Sequence, residues 1–142
     1  MKKLYKYGVA IISDNRLLLC RPFAFRDLII PGGIREGEEN HITNLIRETS
    51  EELGDQAKLV LSSLEYLGNF EDVAAGRSDA IVEIELYKAK IDGTLKASSE
   101  IAELVWFDPR TMHAQLSPIV KNKILPFLIT RGLLKNDHRA TG

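Results

Sequence analysis

Three glutamates, Glu48, Glu51 and Glu52, are spaced three and four residues apart, so that they share one edge of a helix. Like charges at this spacing destabilise a helix by about 0.2–0.5 kcal/mol per pair, which favours a compensating cation. Carboxylate oxygens are the ligands that Mg²⁺ prefers. The pattern therefore predicts a divalent-metal site, with Mg²⁺ as the expected ion and Mn²⁺ as the alternative. Arg47, four residues before Glu51, is expected to hold the Glu51 carboxylate in place.

The segment around these glutamates has the pattern of a helix with one apolar side. Ile42, Leu45, Ile46 and Leu53 recur at helical spacing and predict the face that packs on the core. Gly54 follows the last apolar position, where a glycine commonly ends a helix. The glutamates would thus be carried by a rigid element anchored through its opposite side.

A glycine-rich stretch precedes this helix. The apolar residues 28–30 predict a strand that enters a tight turn at residues 31–33, which read Pro-Gly-Gly. Glycine has no Cβ, so the backbone of such a turn can approach a ligand closely. Strand, turn and acidic helix are expected to converge on one point.

At these positions the chain resembles the Nudix hydrolase family, whose motif is G-x5-E-x7-R-E-U-x-E-E-x-G-U, with U an apolar residue. Thr49 and Asp55 occupy two positions at which the motif has apolar residues, and both concern packing more than chemistry. The fixed positions are all matched, by Gly33, Glu39, Arg47, Glu48, Glu51, Glu52 and Gly54.

The resemblance implies a set of metal ligands. Glu48 and Glu52 would bind Mg²⁺ directly, and Glu51 would bind it directly or through water. The backbone carbonyl of Gly32 or Gly33 would complete the set. For Glu39 a structural role at the start of the helix and a metal contact both stay open.

The resemblance also places Arg47 in the catalytic machinery, as the residue that orients the acids. The group that takes the proton from the attacking water stays open between Glu48, Glu100 and Glu103. Glu100 is favoured among the acids outside the motif because it lies six residues before Trp106, a spacing similar to that of the family's dNTP-pyrophosphatase branch.

Residues for substrate binding follow from charge and aromaticity. Arg21 and Arg35 flank the predicted glycine turn and could hold phosphates through two hydrogen bonds each. Trp106 could stack on a base. The alternative for the two arginines is an ordinary surface position, and for Trp106 it is a place in the core.

Several functions are compatible with this pattern. The first is hydrolysis of a (d)NTP, as in MutT-like pyrophosphohydrolases, because the chain has little beyond the motif. Hydrolysis of nucleotide sugars or other nucleoside diphosphate-linked metabolites comes next, and a non-catalytic nucleotide-binding regulatory domain is a third reading. The absence of a basic patch disfavours mRNA decapping.

Composition limits the partners. The 142 residues carry a net charge of −1, with 27% charged residues, so no global field attracts nucleic acid polymers. We expect a small nucleotide substrate, no membrane partner, a cytoplasmic location and a monomer or homodimer. Cys20 is the single cysteine, which excludes an internal disulfide, and we expect it to be buried and inert.

One α/β domain over residues 1–142 is expected, and the resemblance implies the Nudix α/β/α sandwich with a central mixed β-sheet. A hairpin turn is predicted at Asp14 and Asn15, and the tail from about residue 135 is expected to fray. Helices are predicted to begin at Asp108 and at Ser117, the second with a kink or break at Pro126. Strands are predicted over residues 5–13, 16–20, 57–66, 80–91 and 104–107.

Overall fold

A computed structural model describes residues 1–137 of the chain. Within that range, four strands precede the first helix, and three further strands precede the second helical region. The elements are β1 (Lys2–Ala10), β2 (Ile12–Ser13), β3 (Arg16–Pro22), β4 (Gly32–Ile34), α1 (His41–Leu53), β5 (Ala57–Ala74), β6 (Arg77–Gly93), β7 (Ile101–Phe107) and α2 (Leu125–Thr130).

The strands form two sheets. A mixed sheet has the order β4-β1-β6-β5, in which only β1 and β6 are parallel, and an antiparallel sheet has the order β2-β3-β7. The single strand predicted over residues 5–13 is wrong in one respect, because the chain leaves the first sheet at Ile11 and enters the second as β2. The hairpin turn is confirmed: Asp14 and Asn15 both have positive φ, 53° and 59°, as a tight two-residue turn requires.

Two apolar cores cover the two faces of the sheets. The first contains Leu45 and Leu53 of α1, and the second contains Leu128 of α2. In β6, Val82, Ile84 and Leu86 all point to the second core, as the alternation of the sequence predicts. The predicted α/β/α arrangement around a mixed sheet is confirmed. Cys20 is fully buried, as expected, and burial raises its pKa well above the usual range.

The glycine stretch forms a strand and not the predicted tight turn. β4 pairs antiparallel with β1, with Gly33 opposite Tyr7. Gly32 has φ +142°, and a Cβ at this position would overlap the carbonyl oxygen of Tyr7. Glycine is therefore needed here for the close approach of two strands. The predicted strand over residues 28–30 is reduced to isolated bridges of Leu28 and Ile29.

The C-terminal part departs from the prediction at one place. No helix begins at Asp108, where the chain makes one turn while the Asp108 carboxylate accepts hydrogen bonds from the backbone and side chain of Arg110. A helix does begin after Ser117, at Pro118. Its middle, Val120–Ile124, is a π-helical turn that leads into α2 just ahead of Pro126, which has no N–H to donate.

The start of the tail is anchored. Lys135 donates its backbone N–H to the side chain of Asn15 at 2.7 Å and accepts from the same side chain at 3.1 Å, which ties the first residue of the predicted tail to the turn between β2 and β3. The rest of the predicted tail, residues 138–142, lies outside the described residues. Within residues 1–137 no helix has the length and apolarity that crossing a membrane demands.

Candidate active site

The acidic edge of α1, strand β4 and the turn before β7 enclose a cleft of about 580 Å³. The cleft brings together most of the residues that the sequence singles out. Those that line it are Gly32, Gly33, Arg47, Glu48, Glu51, Glu52 and Glu100. The sequence motif and the acid from outside it therefore share one concave surface, as an active site requires.

Glu52 is the most buried acid of the cleft, with 4% of the residue exposed. Its Oε1 accepts a hydrogen bond from the Gly32 N–H at 2.9 Å. Burial is the main cause that raises the pKa of Glu52 to about 8; the Gly32 N–H and Lys6 oppose this rise in part, and the nearby Glu48 and Glu100 add to it. A carboxylate in this environment favours either a proton or a cation.

Glu48 lies against the backbone of β4. It is 8% exposed, and Arg47 Nη1 donates to its Oε1 at 2.9 Å. Burial raises its pKa, and Arg47 works in the opposite direction. A Cβ on Gly33 would overlap the Glu48 carboxyl group. Gly33 is therefore glycine because Glu48 occupies the space in which a side chain would lie.

Arg47 reaches the Glu51 carboxylate, as predicted, but Glu39 is its nearer partner. Its Nε and Nη2 donate to the two oxygens of Glu39 at 3.0 and 3.1 Å, whereas both Glu51 oxygens are 3.5 Å from Nη1. Hydrogen bonds lower the pKa of Glu39 to about 2, mainly the bonds from Arg47 and to a smaller extent the bond from Asn44. Glu39 thus holds the Arg47 guanidinium group, which in turn contacts Glu48.

Asn44 is a residue that the sequence reasoning missed. It is fully buried and donates from Nδ2 to Glu39 Oε1 at 2.9 Å and to the carbonyl of Ile34 at 3.1 Å. It therefore ties α1 to the end of β4. The available signal was its position four residues before Glu48, on the helix edge that carries the glutamates.

Lys6 was missed as well. It lines the cleft and stabilises the ionised forms of Glu48 and Glu52. No salt bridge within residues 1–137 involves Lys6, so its ammonium group can serve a ligand. Only the pairing of β1 with β4, which places Lys6 opposite Ile34, shows that it borders the glycine strand.

Four predicted residues lie outside the cleft lining. Arg21 forms an ion pair with Glu103 at 2.7 Å, and Arg35 lies over the ring of Tyr5, 5.3 Å from its centroid. Trp106 is partly buried against the core on the α1 side. The substrate-binding roles of Arg21, Arg35 and Trp106, and the role of Glu103 as a base, stay predictions that the lining of the cleft does not favour.

A second pocket of about 210 Å³ adjoins the cleft. The two share Lys6, Phe25, Ile29 and Ile34, so Lys6 lies where they meet. The second pocket is mostly apolar. Its other lining residues are Leu4, Ile30, Ala74, Ala75, Arg77, Val82, Ile84, Ser117 and Ile119.

The acids of the cleft fit a hard divalent cation in part. Glu48 and Glu52 supply buried oxygen donors whose raised pKa values show that a positive charge would stabilise them. Within residues 1–137, however, no group of three or more His, Cys, Asp and Glu side chains could hold a metal ion alone. An ion here needs further oxygens from the backbone, water or a substrate.

Comparison with known proteins agrees with this geometry. A model of the NUDIX domain matches residues 4–128. The chain belongs to the Nudix family. Nudix hydrolases act on phosphorus anhydrides, generally with a divalent metal, and the predicted membership in this class of enzymes is confirmed. A comparison with curated proteins found no match.

Solved structures share the fold of this Nudix chain. The E. coli ORF135 protein is 26% identical over 96% of both chains, with a TM-score of 0.68. A MutT NUDIX hydrolase from Burkholderia pseudomallei is 21% identical over 85% of this chain and 95% of its own, with a TM-score of 0.71. A UDP-X diphosphatase is 23% identical, with a TM-score of 0.72, over 94% of this chain and 65% of its own.

Proposed function

We propose that this Nudix protein is a Mg²⁺-dependent pyrophosphohydrolase of (d)NTPs. The observation that carries the proposal is the junction of two unlike spaces, an acidic cleft and an apolar pocket, with Lys6 between them. A nucleoside triphosphate has the matching parts, because its phosphate chain needs cations and its base favours an apolar wall. The cleft would take the phosphates and the pocket would take the base.

Glu48 and Glu52 are the proposed direct ligands of Mg²⁺, with Glu51 contributing through water because it is exposed at the rim. The bound ion would neutralise phosphate charge and lower the pKa of a bound water. Arg47 and the Gly32 N–H hold the two direct carboxylates in place before any ligand arrives. This preorganisation reduces the cost of ordering the site.

Gly32 is a better candidate for the backbone ligand than Gly33. The Pro31 carbonyl accepts a ladder hydrogen bond from Val9, and bonded pairs alternate along antiparallel strands. Gly33 therefore takes part in the next bonded pair, whereas the polar groups of Gly32 face away from β1. In agreement with this, the Gly32 N–H points away from β1 and donates to Glu52. The Gly32 carbonyl therefore makes no hydrogen bond to β1.

Glu100 is the proposed acceptor of the proton from the attacking water. It borders the cleft, is exposed, and forms no salt bridge in the part of the chain that the structure describes. The two other candidate bases form ion pairs, Glu48 with Arg47 and Glu103 with Arg21, so in each of them a carboxylate oxygen is already engaged by a guanidinium group. Lys6 would hold the departing phosphates as their charge increases.

The test is a panel of nucleoside triphosphates and nucleotide sugars, assayed with and without Mg²⁺ and read by product identity. We expect a nucleoside monophosphate and pyrophosphate from at least one triphosphate, only with the metal. Glu52→Gln should reduce kcat by at least about 10²-fold, whereas Glu65→Gln, an exposed acid on β5, should not change it.

Two results would contradict the proposal. Monophosphate plus sugar phosphate from nucleotide sugars alone would assign the enzyme to those substrates. Nucleotide binding without turnover, in the wild type and with Mg²⁺ present, would assign the chain to the regulatory nucleotide-binding domains.

A further inference from the structure

Ser117 has a buried hydroxyl group without a partner. The residue is 1% exposed, and its Oγ makes no hydrogen bond with any atom of residues 1–137. Its backbone is satisfied, because the N–H donates to Leu28 O at 2.9 Å and the carbonyl accepts from Lys121 N at 2.9 Å. The hydroxyl does not cap the helix that begins at Pro118, although serine at this position commonly does.

The surroundings of this hydroxyl make its isolation costly. Ser117 lines the apolar pocket beside Ile30, Ile84 and Ile119. A hydroxyl buried among aliphatic groups loses its hydrogen bonds to water and regains them only from a partner. The other buried side-chain atom without a partner in the described part of the chain is Asn44 Oδ1, which lines none of the pockets described above. The residue with the free hydroxyl therefore lines a ligand-sized space.

The size of the pocket limits what can enter. Its volume of about 210 Å³ is smaller than the roughly 300–1,000 Å³ of sites that hold a whole small ligand. It can take one planar ring system while the rest of the molecule extends into the cleft. Phe25 lines both the pocket and the cleft. Gly76, in the turn between β5 and β6, packs so closely on the Phe25 ring that an added Cβ would lie only 2.9 Å from it.

We propose that Ser117 determines which base the enzyme prefers, by a hydrogen bond from its hydroxyl group to a polar atom on the edge of the bound ring. This inference rests on the proposed function, because it assigns the apolar pocket to the base of a nucleoside triphosphate. Among the pocket's lining, Lys6 and Arg77 are charged, and Arg77 is paired with Asp79 at 3.3 Å. Ser117 is the buried polar group that a neutral base can meet.

Such a hydroxyl can distinguish between bases in two ways: it stabilises a base that hydrogen-bonds to it and destabilises one that cannot. A ring with a donor or acceptor at the right edge satisfies Oγ, since a hydroxyl can play either role. A ring with an apolar edge leaves Oγ unpaired. Sites with such buried polar groups discriminate against analogues that lack the matching group.

The experiment compares Ser117→Ala with the wild type on the four common deoxynucleoside triphosphates and on a deoxyribose triphosphate without a base. For the preferred nucleotide we expect kcat/KM to fall about tenfold, which corresponds to the loss of one hydrogen bond. For the base-free triphosphate kcat/KM should not change. Ser62→Ala, at an exposed position on β5, is the matched control and should behave as the wild type.

Thermal unfolding separates recognition from a structural role. Because Oγ has no protein partner, Ser117→Ala should leave Tm unchanged or raise it by about 3 °C. Equal kcat/KM ratios among the four nucleotides in the variant and the wild type would overturn the inference, as would a Tm lowered by several degrees. A wild type that hydrolyses none of the triphosphates with Mg²⁺ would refute the proposed function itself, which is a distinguishable result.

Discussion

Replacing Glu52 with glutamine should stabilise the metal-free protein at pH 8 while it abolishes turnover. Glu52 is 4% exposed, and burial is the main cause that raises its pKa to about 8, against an ordinary value of 4.5. Glutamine keeps an oxygen that can accept the Gly32 N–H, so the local hydrogen bond can persist. What the substitution removes is the buried negative charge.

The sign follows from where the proton binds. Between pH 4.5 and 8 the unfolded chain ionises Glu52 while the folded chain holds it protonated, so the free energy of unfolding falls as the pH rises. A tenfold difference in proton affinity corresponds to about 1.4 kcal/mol, so the loss reaches up to roughly 5 kcal/mol at pH 8. Glu48 acts in the same direction. The lowered pKa values of Glu39 and Asp108, each about 2, act only below this window.

The assay is urea unfolding in EDTA at pH 5, 6, 7 and 8. The free energy of unfolding of the wild type should decrease across this series, and that of Glu52→Gln should decrease less. Glu65→Gln should follow the wild type because Glu65 is exposed. Parallel curves for the wild type and Glu52→Gln would refute the claim that burial of the Glu52 charge is costly.

Three further substitutions test other parts of the site. Gly33→Ala should reduce kcat about 10²-fold, because the added Cβ overlaps the Glu48 carboxyl; an unchanged kcat would show that Glu48 need not lie against β4. Glu100→Gln should lower kcat by about 10²-fold or more with little change in KM, whereas Glu103→Gln should leave kcat unchanged. A large loss of kcat in Glu103→Gln alone would make Glu103 the base. Arg47→Lys should lower kcat about tenfold while the circular dichroism spectrum stays unchanged, because lysine cannot reproduce the paired hydrogen bonds of arginine to Glu39. Full activity of this variant would show that Arg47 does not orient the acids.

The sequence predicts the acidic helix and its cleft-facing glutamates, but only half of its apolar face. Leu45 and Leu53 are buried as predicted, whereas Ile42 and Ile46 are 40% and 47% exposed. The buried side of α1 is turned toward Glu48 and Glu52, which are 8% and 4% exposed. The same local logic predicts the hairpin at Asp14 and Asn15, whose conformations need no distant partner.

The errors concern contacts between distant parts of the chain. The sequence pattern predicts a turn at Gly32 and Gly33, but their small size serves the packing of β4 on β1 and of Glu48 on β4. Lys6 and Ser117 face the site only because strand order and the C-terminal helix bring them there. No local pattern marks them, since a lysine in a strand and a serine before a proline are ordinary features.

The central claim is that Glu48 and Glu52 hold a divalent cation in the cleft. Titration of the metal-free protein with Mn²⁺, followed by the electron paramagnetic resonance signal of the free ion, measures this without any substrate. The account predicts binding by the wild type that Mg²⁺ displaces, and an affinity about tenfold or more weaker in Glu52→Gln but unchanged in Glu65→Gln. Equal Mn²⁺ affinity in the wild type and in Glu52→Gln would contradict it.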